Sequence, residues 1–239
     1  MNFAASLIPG TLIRRYKRFL ADIRLDDGRE ITAHCANPGS MLGLNMPGLR
    51  VWLEPNDDPK RKLKFSWKLV ELPESGLAGI DTGVPNRVVA EALSARAIPE
   101  LGDYSDVRPE QRYGTNSRID FLLEGDRTTY LEVKNVHLMR EPGLAEFPDS
   151  VTARGAKHLG DLAAEVARGH RAVMLYVIQR DDCDRFDLAR DLDPAYFAAF
   201  ERAVAMGVEV LAYRCTLEPT RISLERAIPL AGASARVTQ

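Results

Sequence analysis

The chain has 239 residues and a formal net charge of −2, with 45% hydrophobic and 28% charged residues. This length leaves room for one large domain or two small ones, and the composition excludes a chain that stays disordered. The longest apolar runs, such as residues 172–178, fall well short of the roughly 18 residues of a membrane span, and residues 1–10 lack the basic start of a secretory signal.

The first eighty residues predict a small β domain. Short strands are expected over residues 10–13, 19–25, 30–35, 49–53 and 66–72, separated by turns rich in glycine and proline. Asp26-Asp27-Gly28 is a strong hairpin signal between the second and third of them. Five strands at this spacing suit a closed barrel, of which the oligonucleotide-binding (OB) type is one candidate, or a small open sheet. Residues 73–76 are predicted to be a linker, so the first domain spans residues 1–80.

From Asp81 the pattern changes to alternating helices and strands, which predicts an α/β domain over residues 81–239. Asn86 is expected to cap a helix that ends near residues 99–102. Further elements are expected at residues 117–123 and 128–134 as a hairpin, 152–168 and 194–205 as helices, and 171–178, 208–213 and 221–224 as strands. The continuous apolar run 171–178 favours a central strand covered on both faces, so three layers are expected.

The predicted hairpin carries the most informative residues. Glu132 and Lys134 point to the same face of their strand because side chains alternate. A three-residue turn at residues 125–127 places Asp120 directly opposite Glu132, whereas a two-residue turn places the two carboxylates on opposite faces. The first register brings two carboxylates and one ammonium group together.

Two facing carboxylates repel unless a proton or a cation lies between them. Mg²⁺ or Mn²⁺ is a suitable cation, since it takes carboxylate oxygens together with water and substrate phosphate, and it supports phosphodiester hydrolysis. Lys134 would then hold the attacking water or neutralise developing charge, and Glu91 is expected to add a third carboxylate from its helix. The alternative is an ordinary cross-strand ion pair on a solvated sheet face.

Glu91 on a helix, Asp120 on a strand and Glu132-x-Lys134 on the next strand resemble the PD-(D/E)xK nuclease core. Along nearly its full length the chain also resembles the bacterial sugar fermentation stimulation protein family. The matching stretches are residues 15–22, 35–39, 117–121, 132–136, 147–149 and 152–159.

This resemblance implies an N-terminal OB barrel joined to a nuclease-like α/β domain. It also implies non-specific DNA binding and a regulatory role in sugar metabolism, particularly that of maltose. A nuclease activity would follow from the motif. A catalytically inactive DNA-binding regulator on the same scaffold is the alternative.

The helix predicted over residues 152–168 places Arg154, Lys157, His158 and Asp161 on one side. Beside the carboxylates, Arg154 and Lys157 would bind the phosphate next to the scissile bond, and the family resemblance adds His158 to the residues expected to bind nucleic acid. The alternative is a solvated face on which Lys157 and Asp161 simply pair.

Basic residues are concentrated near the N-terminus. Residues 1–80 hold 12 Lys and Arg against nine Asp and Glu, a balance of +3 that leaves −5 for the rest. Cations among aromatic side chains are typical of a nucleic-acid groove, although in so small a barrel the aromatic side chains are also needed for the core. The basic residues expected to contact nucleic acid are Arg14, Arg15, Lys17, Arg18, Lys60, Arg61 and Lys62.

The expected partner is DNA, with RNA as an alternative, and the sequence leaves open whether the protein is a monomer or a homodimer. Three cysteines without a CxxC pair predict neither a disulfide framework nor a zinc site. The expected location is therefore the reducing cytoplasm.

Overall fold

A computed structural model describes residues 1–73, 76–114 and 116–232 of the chain. The strands are β1 (Ile8–Tyr16), β2 (Leu20–Leu25), β3 (Glu30–Cys35), β4 (Arg50–Pro55), β5 (Phe65–Glu71), β6 (Leu77–Gly79), β7 (Asp106–Tyr113), β8 (Ser117–Glu124), β9 (Thr129–Val136), β10 (Leu138–Glu141), β11 (Leu144–Phe147), β12 (Arg171–Ile178), β13 (Arg185–Leu188), β14 (Glu209–Glu218) and β15 (Arg221–Ala227). The helices are α1 (Val84–Ser94), α2 (Ala153–Ala167) and α3 (Pro194–Ala205), with a short 3₁₀ turn at Pro99–Leu101.

The N-terminal strands close into a barrel, which confirms the predicted OB-like domain and excludes the open sheet. The order is β3-β2-β1-β4-β5, and a parallel pairing of β3 with β5 closes the ring. Trp67 is fully buried in the barrel core. Strand β6 extends this sheet from β5, directly after the predicted linker, of which Glu74 and Ser75 lie outside the described residues.

The second domain has three layers, as predicted. Its main sheet has the order β15-β14-β12-β9-β8-β7, with β12 parallel to both of its neighbours. Val173, Leu175 and Val177 of β12 pack on the side of α1, whereas Met174 and Tyr176 pack on the side of α2 and α3. The continuous apolar run therefore is a strand buried on both faces.

Strands β10, β11 and β13 form a second, small sheet that the sequence pattern does not predict. Each of these strands has four residues, and Pro142-Gly143 separates the first two, so the turn signal outweighs the short strand pattern. Strand β7 is also absent from the predictions, because residues 106–113 carry many charged side chains and little apolar alternation.

The barrel is fastened to the second domain by Asp149, which follows β11. Oδ2 of Asp149 accepts hydrogen bonds from the backbone N–H of Met41, at 3.1 Å, and from Nε2 of His137, at 3.3 Å. The backbone oxygen of Asp149 accepts a bond of 2.8 Å from Oγ of Ser40. A Cβ atom at Gly39 would overlap the Asp149 carboxylate, so this approach requires glycine.

No helix of the described ranges is long and apolar enough to cross a membrane.

Candidate functional site

The register of the β8–β9 hairpin brings the predicted carboxylates together. Phe121 pairs with Leu131, and the same alignment continued by one residue places Asp120 opposite Glu132. This is the register of the three-residue turn. Glu132 is only 2% exposed, which excludes the alternative of an ion pair on a solvated sheet face.

Glu132 is buried but ionised, because two donors contact it. Oε1 accepts a hydrogen bond of 2.6 Å from Nζ of Lys134 and also contacts Nδ1 of His158. Burial opposes ionisation of Glu132, but the hydrogen bond from His158 and the charge of Lys134 outweigh it and lower its pKa. The site thus holds a carboxylate that stays charged although it is buried.

The pKa of Asp120 is shifted in the opposite direction to that of Glu132. Oδ1 accepts a bond of 2.7 Å from the side-chain amide of Asn86, and Oδ2 accepts one of 2.8 Å from the backbone N–H of Val133. Burial, followed by the negative charge of Glu132, nevertheless raises the pKa of Asp120. The ionised pair is therefore under repulsion that a bound cation would relieve.

Helix α1 contributes Asn86 to the site, and the expectation that Glu91 joins it is wrong. Glu91 is 62% exposed and forms an ion pair of 2.6 Å with the amino group of Met1. Asn86 does not cap the helix either, because α1 begins at Val84 and Asn86 lies in its first turn. The apolar residues of α1 face the sheet, and this leaves Glu91 on the outer side.

Helix α2 brings its predicted residues to the same cleft. Arg154, Lys157 and His158 line a cavity of about 570 Å³ together with Asp120 and Glu132. His158 is 5% exposed, whereas Lys157 remains half exposed. The structure thus places these three α2 residues beside the carboxylates, and their contact with nucleic acid stays a prediction.

Lys157 also makes the alternative contact that the sequence suggested. Its Nζ lies 2.6 Å from Oδ2 of Asp161 and 2.5 Å from Oγ of Ser117. Arg154 donates from Nε to Nε2 of His158 at 3.3 Å. These contacts fix cationic groups at the mouth of the cleft.

One oxygen of the site has no protein partner. Among the described residues, the buried side-chain atoms without a hydrogen bond are Oε2 of Glu132, the hydroxyl of Tyr113 and Oε1 of Gln179. A buried carboxylate oxygen left unpaired costs free energy, and a hard divalent cation is a suitable partner for it. The Glu132–Asp120 pair therefore fits Mg²⁺ or Mn²⁺, although the described residues contain no ready group of three or more acidic, histidine or cysteine ligands.

The predicted basic residues of the first strands have different roles. Arg14 is exposed and pairs with Asp22 at 2.8 Å. Arg15 donates to the carbonyl groups of Asn37 and Gly39, which gives it a structural role, and its contact with nucleic acid stays a prediction.

Lys17 and Arg18 form the turn between β1 and β2 and are exposed, with left-handed φ values of 48° and 61°. Arg18 also lines a cleft of about 680 Å³ between the barrel and the second domain. The other predicted basic residues, Lys60, Arg61 and Lys62, are exposed in the β4–β5 loop. Their contact with nucleic acid stays a prediction.

Several residues of the cleft are not predicted from the sequence. Glu110, Ser117 and Arg118 line it, and Asn86 holds Asp120. Ser117 and Arg118 could have been predicted to line the cleft, because they lie on the same hairpin strand as Asp120. Glu110 could not be predicted to line the cleft, because its strand, β7, was itself not predicted.

Comparison with known proteins supports a single family along the chain. A model described as the SfsA N-terminal OB domain matches residues 13–80, and one described as the sugar fermentation stimulation protein RE domain matches residues 83–221. Similar curated proteins are the sugar fermentation stimulation protein homologs of Ruegeria pomeroyi and Agrobacterium fabrum. The first is 62% identical over 94% of this chain and 98% of the relative, and the second is 53% identical over 96% and 97%.

A solved structure has the same fold. The structure of SfsA from Pyrococcus furiosus, in complex with Ca²⁺, superposes with a TM-score of 0.87. It covers 97% of this chain and 98% of its own at 24% identity.

Proposed function

Because the chain belongs to the sugar fermentation stimulation protein family, we propose that it binds DNA and cleaves phosphodiester bonds with Mg²⁺ or Mn²⁺. The observation that carries this proposal is the buried Glu132, with one unpaired oxygen, beside Asp120 and Lys134 in a cleft with cationic walls. A regulatory role in sugar and maltose metabolism, in the cytoplasm, rests on the family resemblance alone.

Different residues of the cleft would bind the metal ion, orient the attacking water and bind the phosphate. Asp120 and Glu132 would hold the metal ion, which when bound supplies an activated water and neutralises charge on the phosphate. Lys134, 13% exposed and held by Glu132, would orient the attacking water or stabilise negative charge on the phosphate oxygens. Arg154 and Lys157 would bind the adjacent phosphate.

The related protein from Pyrococcus furiosus supports a cation in this family, since its structure was determined in complex with Ca²⁺. Ca²⁺ and Mg²⁺ both take carboxylate oxygens, although Mg²⁺ requires a stricter octahedral arrangement. The chemistry of the donor set here, two carboxylates without sulfur, is consistent with such a hard cation.

Removal of the metal ion tests the proposed cleavage activity. We expect the purified chain to cleave single- or double-stranded DNA, or RNA, when Mg²⁺ or Mn²⁺ is present. Excess EDTA should reduce cleavage to background while leaving DNA binding in place, because binding rests on basic side chains and cleavage on the metal. Gel assays of cleavage and of binding measure the two properties on the same samples.

Absence of cleavage with every substrate and metal would contradict the nuclease proposal. The alternative, a catalytically inactive DNA-binding regulator, would then be favoured. One observation already points toward it: Oε1 of Glu132 is occupied by Lys134 and His158, so the described residues offer few free ligand atoms.

The exposed loop cluster Lys60, Arg61 and Lys62 gives a prediction about binding. Each phosphate contact to duplex DNA contributes about 0.9 to the slope of log affinity against log salt concentration. Replacing all three residues by alanine should therefore reduce the magnitude of this slope by about 2 to 3. Fluorescence anisotropy over a salt series measures it.

The matched control replaces two exposed arginines of β15, Arg221 and Arg226, which are about half exposed. Their removal should leave the slope unchanged. An equal loss of slope in both variants would show a general charge effect and would contradict the assignment of the β4–β5 loop.

A further inference from the structure

A third carboxylate lies in the same row of the sheet as the predicted pair. The β7–β8 ladder keeps one register on both sides of Glu110, which places Glu110 opposite Asp120. The β8–β9 ladder in turn places Asp120 opposite Glu132. Adjacent strands are about 4.8 Å apart, so three acidic positions follow one another across three strands.

All three residues also line one cavity, in which Asp120 is contacted from α1 and Glu132 from α2. Glu110 has a φ of 55°, in the left-handed region that non-glycine residues rarely occupy. The ladder resumes in the same register directly after it, so this conformation adds no residue to the strand. Glu110 thus keeps its place beside Asp120.

The Glu110 side chain is exposed and only weakly held by its neighbours. It is 56% exposed, and its ion pair with Arg118 spans 4.0 Å. An exposed pair at this distance contributes little to stability. Glu110 can therefore leave Arg118 at small cost.

The predicted pair alone offers few free oxygens. Both oxygens of Asp120 accept a hydrogen bond, and Glu132 has one oxygen without a partner. Mg²⁺ takes six ligands and commonly keeps several waters. A further carboxylate would add negative charge to a site that Lys134 otherwise makes more positive.

We propose that Glu110 turns away from Arg118 and supplies the third carboxylate for a divalent cation bound between Asp120 and Glu132. This inference rests on the proposed function, because it concerns the same metal. It assigns to β7 the role that the sequence pattern predicts for Glu91 on α1. The affinity of an oxygen site for cations rises with the number of charged ligands.

The test is direct binding of Mn²⁺ to the full chain, measured by isothermal titration calorimetry without nucleic acid. Glu110→Gln should weaken Mn²⁺ binding by about tenfold, since it removes one of three charged ligands. The matched control is Glu124→Gln, at the other end of β8, where the carboxylate pairs with Arg108 at 3.0 Å. This control should bind Mn²⁺ like the unmodified chain. Thermal unfolding without metal should be unchanged in both variants.

Three other outcomes are informative. Equal Mn²⁺ affinity for Glu110→Gln and the unmodified chain would overturn the role of Glu110 and leave the proposed function intact, provided that Asp120→Asn loses binding. A tenfold loss in Glu124→Gln as well would also overturn it, because the effect would then be one of overall charge. Absence of Mn²⁺ binding to the unmodified chain would overturn both this inference and the metal-dependent function.

Discussion

Replacement of Asp120 by asparagine is expected to abolish cleavage and at the same time to stabilise the protein. The loss of activity should reach about 10³-fold, since metal-assisted charge stabilisation contributes several kcal/mol. The gain in stability follows from the raised pKa of Asp120, whose charge is disfavoured by burial and by Glu132. Removing this charge should therefore raise the free energy of unfolding.

Both hydrogen bonds of Asp120 can persist in this variant. The new amide oxygen can accept from Val133 N–H, and a flipped Asn86 amide can accept from the new amide nitrogen. Cleavage assays and urea unfolding at pH 7 measure the two effects. Asp126→Asn, in the exposed turn of the same hairpin, is the control and should change neither property. Full activity in Asp120→Asn would show that the cleft is not the catalytic site.

The sign of the stability effect follows from the protonation states. A carboxyl group with a raised pKa in the folded protein destabilises the fold while it is ionised, and this penalty disappears as pH falls and the group takes up a proton. The stability difference between Asp120→Asn and the unmodified chain should therefore shrink as pH falls from the raised pKa toward the ordinary pKa of aspartate, 3.8, and be gone below that value. A difference that stays constant to low pH would contradict this explanation.

Replacement of Asp149 by alanine is expected to cost about 2–4 kcal/mol of unfolding free energy. The variant leaves the Met41 N–H and His137 without their shared acceptor between the two domains, and unpaired buried donors are expensive. Urea unfolding at pH 7 measures the loss. The control is Asp191→Ala, whose carboxylate pairs with Arg140 but is 65% exposed, so that solvent and salt screen the contact and little change is expected.

Asp149 also predicts how this effect depends on pH. Burial opposes its ionisation, but the hydrogen bond and charge of His137 and the bond from Met41 lower its pKa from 3.8 to about 2. A lowered pKa gives stability that is present above pH 3.8 and is lost as pH falls toward about 2. This corresponds to about 2 kcal/mol. A loss of this contribution near neutral pH would contradict the assignment to Asp149.

The hairpin site was predictable because its register depends on local information. Turn length fixes which residues face each other, and alternation fixes the shared face of Glu132 and Lys134. Glu91 could not be placed in this way, since the rotation of α1 depends on how its apolar side packs against the sheet. Asn86, one and a half turns earlier, faces Asp120 for the same reason.

Charge patterns along the chain were a weaker guide than strand register. Arg14 and Arg15 are neighbours in sequence, but one is exposed and the other donates to carbonyl groups of the loop after β3. An arginine has the same charge in both settings, so only its neighbours in the fold distinguish a phosphate contact from a structural one. Strands β10 and β11 could not be predicted from the sequence either, because they are stabilised by pairing with β13 rather than by their own residue pattern.

The short segment from Asp149 to Thr152 is held at both of its ends. Asp149 is hydrogen-bonded to the barrel. The backbone N–H of Thr152 donates a hydrogen bond of 2.7 Å to Asp193, which caps α3. Thr152 itself caps α2, the helix that carries His158 into the cleft. Because both ends are held, the length of this segment is constrained as well as the identity of its residues. An insertion here would shift the barrel against the cleft, whereas one in the exposed β8–β9 turn would have room to loop outward.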